Sequence, residues 1–198
     1  SSLLKDHSGK NAIFKCEYVK MPKIGKEDKH LQVKELSFPG ETKDYDLIYK
    51  MQYARGNPGI TKSSTTVTDC DGVKTVYEFN PNLLPESIKY FDQDGSLIKV
   101  KVFKWTSNQW LKTISILNGQ QELLSEKEFQ YDSFGNPILE VFRGDLTGNG
   151  LVESDETKRV FSLDGKNLLL KEEYSSGEII AYTYLSGTNL LTSRLTKR

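Results

Sequence analysis

One segment of the 198-residue chain stands out for metal chemistry: DLTGNGLVESDE, residues 145–156. It follows the twelve-residue calcium-loop template, with Asp145 at the first position, Thr147 at the third, Asn149 at the fifth and Gly150 at the sixth. The backbone carbonyl of Leu151, the carboxylate of Glu153 and the closing carboxylate of Glu156 supply the remaining oxygens, and the aliphatic Val152 sits between. A hard dication prefers carboxylates where Thr147 and Asn149 stand. The expected calcium affinity is therefore weak, on the order of 10⁻⁴–10⁻³ M. No helical pattern flanks the segment, so a helix–loop–helix is not expected. The alternative is a solvated loop whose Gly-Asn-Gly simply makes turns.

Catalytic chemistry is hard to find. Acid–base work needs groups tuned near neutral pH and held together. The two histidines, His7 and His30, lie in an irregular opening stretch, and the sequence holds no nucleophile elbow, zinc-protease or phosphate-loop pattern. The acid pairs Asp69/Asp71 and Asp92/Asp94 have glycosidase-type composition, but both lie in turn-forming sequence, where Asp is favoured for hydrogen bonding to the backbone. The expectation is a protein that is not an enzyme. Cys16 and Cys70 are the only cysteines. They are too few for a disulfide framework, lack CxxC metal spacing, and leave open whether they pair.

Bulk properties narrow the partners. Lys plus Arg (27) balances Asp plus Glu (27), so the net charge is zero and no basic field draws in nucleic acid. Hydrophobic residues make up 36% against 27% charged, a balance that suits a sheet with a wet face better than a thick core. No apolar run is long enough for a transmembrane helix, and SSLLKDHSGK is not a signal-peptide pattern. The chain starts without Met. It is expected to be a piece of a larger polypeptide whose targeting signals lie elsewhere.

The elements that must position these residues are strands. DLIYKMQY puts Leu47, Tyr49, Met51 and Tyr53 on one face and Lys50 and Gln52 on the other. SLIKVKVFKW sets Ile98, Val100 and Val102 against Lys99 and Lys101. In WLKTISILNGQQELL, Leu111 and Thr113 alternate with Lys112 and Ile114 before Asn118-Gly119, a two-residue hairpin-turn signal. QQELLSEKEFQ fits a helical period for barely two turns and is read as the return strand of that hairpin. Residues 1–59 form a less regular, β-rich lead-in, with a charged turn at IGKEDKH and a break at Pro39-Gly40.

Five stretches repeat one order: VYEFNPNLL (76–84), KYFDQDGSL (89–97), QYDSFGNPI (130–138), VFSLDGKNL (160–168) and TYLSGTNLL (183–191). An aromatic closes a strand, an Asp/Asn/Gly cluster turns the chain, and an aliphatic residue opens the return strand. Single hairpins are marginal in water, so neighbours must pair edge to edge into a continuing sheet. The fold class is thus all-β, built of repeated antiparallel hairpins over 60–198 with an inserted loop near 143–158. The aromatics are expected to pack on a core face. The alternative is an exposed aromatic ladder that binds a glycan or a peptide.

FQYDSFGNPILE (129–140), TTVTDCDGVKTVYEF (65–79) and SGEIIAYTYLSGTNLLTSRL (176–195) resemble the YD-repeat (rearrangement hot spot, RHS) family. Tyr131-Asp132 with Gly135-Asn136 matches its hallmark in full, and Tyr182-x-Tyr184 followed by Gly187 matches in part. The resemblance covers roughly 60–198. It implies a curved, extended sheet of the kind that spirals into a hollow shell around a toxic domain in bacterial polymorphic toxins and toxin-complex cages, or serves adhesion in teneurins. Members carrying cargo usually end in a self-cleaving domain with paired Asp-Pro motifs, and no Asp-Pro occurs here. At this length the chain is expected to be a segment of shell or a small open relative, secreted or at a cell surface. Its expected partners are other repeats or domains of the same full-length protein. The alternative is an adhesin-like module that recognises a host protein or glycan.

Overall fold

A computed structural model describes residues 3–5, 11–13, 15–20, 31–39, 45–57 and 59–198, with side chains from residue 49 onward except Pro58. His7, His30, Gly40 and the turn at 24–30 lie outside the described residues. Every described element is a strand. The first five are β1 (Leu3–Lys5), β2 (Asn11–Ile13), β3 (Lys15–Lys20), β4 (Leu31–Pro39) and β5 (Tyr45–Ala54). They are followed by β6 (Ser63–Asp69), β7 (Lys74–Phe79), β8 (Pro85–Phe91) and β9 (Leu97–Trp105). The remainder are β10 (Leu111–Asn118), β11 (Leu123–Tyr131), β12 (Pro137–Gly144), β13 (Glu153–Phe161), β14 (Leu169–Tyr174), β15 (Ile179–Tyr184) and β16 (Leu191–Lys197).

Two compact units, Ser1–Val100 and Lys101–Arg198, divide the chain within β9. This division does not coincide with the 59/60 boundary drawn from sequence. In the first unit, β3 to β8 pair antiparallel in chain order, and β1 pairs with β2. In the second, β10 to β16 do the same. Neither unit closes into a barrel among its described residues. The return-strand reading of QQELLSEKEFQ holds, since β11 runs from Leu123 to Tyr131.

The turns share a mechanism that the aromatic–glycine order only partly reveals. At Asp69, Asn80, Asp92, Thr106, Asn118, Asp132 and Tyr174, the N–H donates to the carbonyl four residues on, and the residue three on donates back. That fourth position has positive φ in all seven turns, at Gly72, Leu83, Gly95, Gln109, Gln121, Gly135 and Gly177. The anchor side chain reinforces the turn. In Asp69, Asn80, Asn118 and Asp132, one oxygen accepts the N–H groups two and four residues on, at 2.9–3.0 Å. The two-residue turn expected at Asn118-Gly119 is corrected on this point. Asn118 anchors a three-residue loop, and the left-handed residue is Gln121 (φ 66°). Asn is better used here as a double acceptor than as the left-handed residue.

Among the described residues the expected core face is sparse. Among the described residues only Val100, Val141 and Ile180 are buried apolar side chains, at 7%, 8% and 4% exposure. Ser87, Thr113 and Ser115 are buried too. In the second unit the described strands pair into one sheet, and most of its tyrosines and phenylalanines are half-covered, whereas Phe134 is 55% exposed.

Candidate functional site

The second unit concentrates its polar chemistry in one row across the strands. Registers Phe129↔Glu140, Glu140↔Thr157, Arg159↔Glu172 and Tyr182↔Arg194 place Lys127, Glu140, Arg159, Glu172, Tyr182 and Arg194 on one face. Lys127 pairs with Glu140, whose other oxygen meets Arg159 Nη1 at 3.2 Å. Arg159 Nε reaches Glu172 at 3.0 Å, and the Tyr182 hydroxyl donates to the second Glu172 oxygen at 2.7 Å. Burial pushes Glu172 up, but hydrogen bonds from Tyr182 and Arg159 outweigh it and hold its pKa below the ordinary value. Glu140 behaves likewise: burial is offset by Lys127 and Arg159, and the net shift is downward. Burial also opposes charge on Arg159, yet its two carboxylates raise its pKa. The opposite face carries a smaller cluster, in which Arg143 spans Glu126 (3.2 Å) and Glu128 (3.0 Å).

Aromatic chemistry gathers at the 106–110 turn. Trp105, Trp110, Phe129 and Tyr131, with Asn108 and Lys112 among the polar groups, line an open cleft of 490 Å³. The Trp110 and Tyr131 rings lie 5.3 Å apart. A Cβ on Gly135 would come within 3.0 Å of the Trp110 ring, so the indole rests on the neighbouring turn. The Tyr131 hydroxyl is not free for a ligand, because it donates to the Leu111 carbonyl at 2.7 Å.

The metal template divides. Residues 145–152 are the connection between β12 and β13, so the segment takes the place of a hairpin turn rather than interrupting one. Asp145 folds the loop on itself: its two oxygens accept the N–H groups of Gly148 (2.6 Å), Asn149 (3.0 Å) and Gly150 (2.9 Å). Thr147 and Asn149 donate to Glu153 at 3.1 and 3.4 Å, and Leu151 donates its N–H to Asn149 at 2.7 Å. Glu156 stands apart. It is three residues beyond Glu153 on a strand, hence on the opposite face, and it pairs with Lys158 at 2.8 Å. In the template a helix returns the twelfth residue to the loop. Here a strand carries it away, so the six residues do not form one shell. Among the described residues no three His, Cys, Asp or Glu converge.

The acid pairs considered for hydrolysis cap turns. Asp69 is an anchor; Asp92 accepts from Gln93 (2.7 Å) and Asp94 from Ser96 (2.8 Å). Cys70 is an exposed free thiol, and the side chain of Cys16 lies outside the described residues.

Against known proteins, the single-layer hairpin sheet finds its likeness in structure rather than in sequence. No protein-family model and no curated protein matches the chain. The crystal structure of TcdB2-TccC3 superposes on 96% of this chain at a TM-score of 0.64 and 14% identity. The two share a fold. The chain spans 10% of that TcdB2-TccC3 chain's length. A porin-like protein from Bacteroides uniformis covers 98% of this chain and is itself covered to 80%, at 11% identity and a TM-score of 0.41, too slight a likeness to argue from.

The sequence reading missed the charged row. Glu140, Arg159 and Glu172 lie 13 to 32 residues apart in the chain, and only the register of three successive strands brings them into line. Alternating polar positions in each strand were the available signal, but alternation gives no register between strands.

Proposed function

We propose that this chain is a non-enzymatic structural segment of an RHS-type β-repeat shell, within a large exported or surface bacterial protein that encloses or presents an effector domain. The observation that carries the reading is the two-faced single-layer sheet, whose fold matches a tenth of the much longer TcdB2-TccC3 chain. A sheet that covers its side chains with lateral neighbours suits an extended shell better than a self-contained globule. The natural partners are further repeats of the same polypeptide. Limited proteolysis of the longer polypeptide tests this. The enclosed domain should resist protease while the sheet is intact and become cleavable when Arg159→Glu breaks the row; equal cleavage in both forms would contradict enclosure.

A second reading, a surface module that recognises a glycan, is favoured by the cleft at Trp105 and Trp110, where aromatic rings and amide and ammonium groups meet. For the 145–156 loop the calcium expectation contracts to Asp145, Thr147, Asn149, the Leu151 carbonyl and Glu153. It is supported by their hydrogen-bonded closure into one loop.

A further inference from the structure

The charged row reaches β16, the last of the described strands. β16 pairs with β15 on one side, and among the described residues no strand pairs with its other side. Every residue of β16 is exposed; Leu195 is 69% exposed. Across the five preceding strands the row runs Lys127, Glu140, Arg159, Glu172, Tyr182: cation, anion, cation, anion, hydroxyl. Arg194 follows, directly opposite Tyr182. Among the described residues Arg194 has no carboxylate at ion-pair distance, unlike Arg159 three strands earlier, which has one on each side. The last eight residues, LTSRLTKR, contain three cations and no acid.

We propose that the free edge of β16 is a pairing site for an antiparallel β-strand that presents a carboxylate to Arg194. The partner class is an acidic strand. This rests on the shell reading and adds the chemistry of the next strand to it. An unpaired edge offers backbone donors and acceptors that any extended chain can satisfy, so backbone pairing supplies affinity and side chains supply selection. A second copy of β16 is a poor occupant, because it brings three further cations and no acid to this edge. A strand with Glu or Asp in register continues the alternation.

The test uses the full chain and two synthetic eight-residue strands, one alternating Val/Thr with Glu, the other identical but with Lys for Glu. Affinity is read by NMR titration, and the site by amide hydrogen exchange. The Glu strand should bind about tenfold tighter than the Lys strand and should protect amides at 192–197. Arg194→Gln should erase most of that preference, and Arg194→Glu should reverse it, with both variants melting like the parent. Equal binding of the two strands, or protection elsewhere than β16, overturns the inference. So does concentration-dependent dimerisation through β16 without peptide. If these arms fail while the sheet continues past β16 in the longer polypeptide, the charge rule falls and the shell reading stands.

Discussion

The Tyr131 hydroxyl donates to the Leu111 carbonyl at 2.7 Å, tying the last residue of β11 to the first of β10. Tyr184 does the same one strand back, from the end of β15 to Leu169 at the start of β14, at 2.9 Å. In the Tyr131-Asp132 pair the tyrosine thus fastens the preceding strand while the aspartate anchors the following turn. Tyr131→Phe keeps the ring contact with Trp110 and removes the hydroxyl, leaving a half-buried carbonyl without that donor. It should cost about 1 kcal/mol by chemical denaturation, and Tyr184→Phe about the same.

Gly135 and Gly95 separate backbone strain from packing. Both have strongly positive φ, 88° and 83°, but only Gly135 has a ring against the place a Cβ would occupy. Gly95→Ala should cost about 1 kcal/mol, from backbone conformation alone. Gly135→Ala should cost more, and Trp110 fluorescence should change in that variant only.

The charged row predicts acid sensitivity. Glu140 and Glu172 have lowered pKa values in the folded chain. The stability they contribute is fully present above the ordinary Glu value of about 4.3 and is lost as pH falls through their lower folded values. Arg159, shifted upward, stays charged throughout. Melting temperature against pH should fall less steeply below about pH 4.3 in Glu172→Gln than in the parent. Arg159→Met should cost about 1–2 kcal/mol at pH 7, more than an exposed pair and less than a fully buried one, since its side chain is 20% exposed.

Calcium is tested on the 145–152 loop. Asp145→Ala removes the acceptor for three backbone N–H groups and should lower Tm without any metal. If the loop also binds calcium, millimolar calcium should raise Tm of the parent by a few degrees, more than equal magnesium does. Glu153→Gln should abolish the shift, whereas Glu156→Gln, on the far face beside Lys158, should leave it unchanged.

Strand identity and hairpin succession were legible because alternation and turn residues are local. Leu123 to Tyr131 could be assigned to a strand from the turn before it, despite a helical period. The turns themselves were read half right. Glycine marked the left-handed position at 95 and 135, but Leu83, Gln109 and Gln121 occupy it elsewhere, where the anchor residue and strand pairing impose the conformation. Glu156 was misplaced because the template presumes a helix after the loop, and the period-2 strand sends Glu153 and Glu156 to opposite faces. The small number of buried apolar side chains among the described residues was illegible for a related reason: alternation says that two faces differ, not that anything covers one of them.

We propose that this sheet is a segment of a longer one, and cryo-electron microscopy of residues 1–198 together with whatever sequence flanks them tests this most directly. The account predicts that β16 is paired on both sides, with a following strand antiparallel to it and an acidic side chain beside Arg194. A β16 edge open to solvent, with the sheet ending there and a ligand seated in the Trp105–Trp110 cleft, would contradict it.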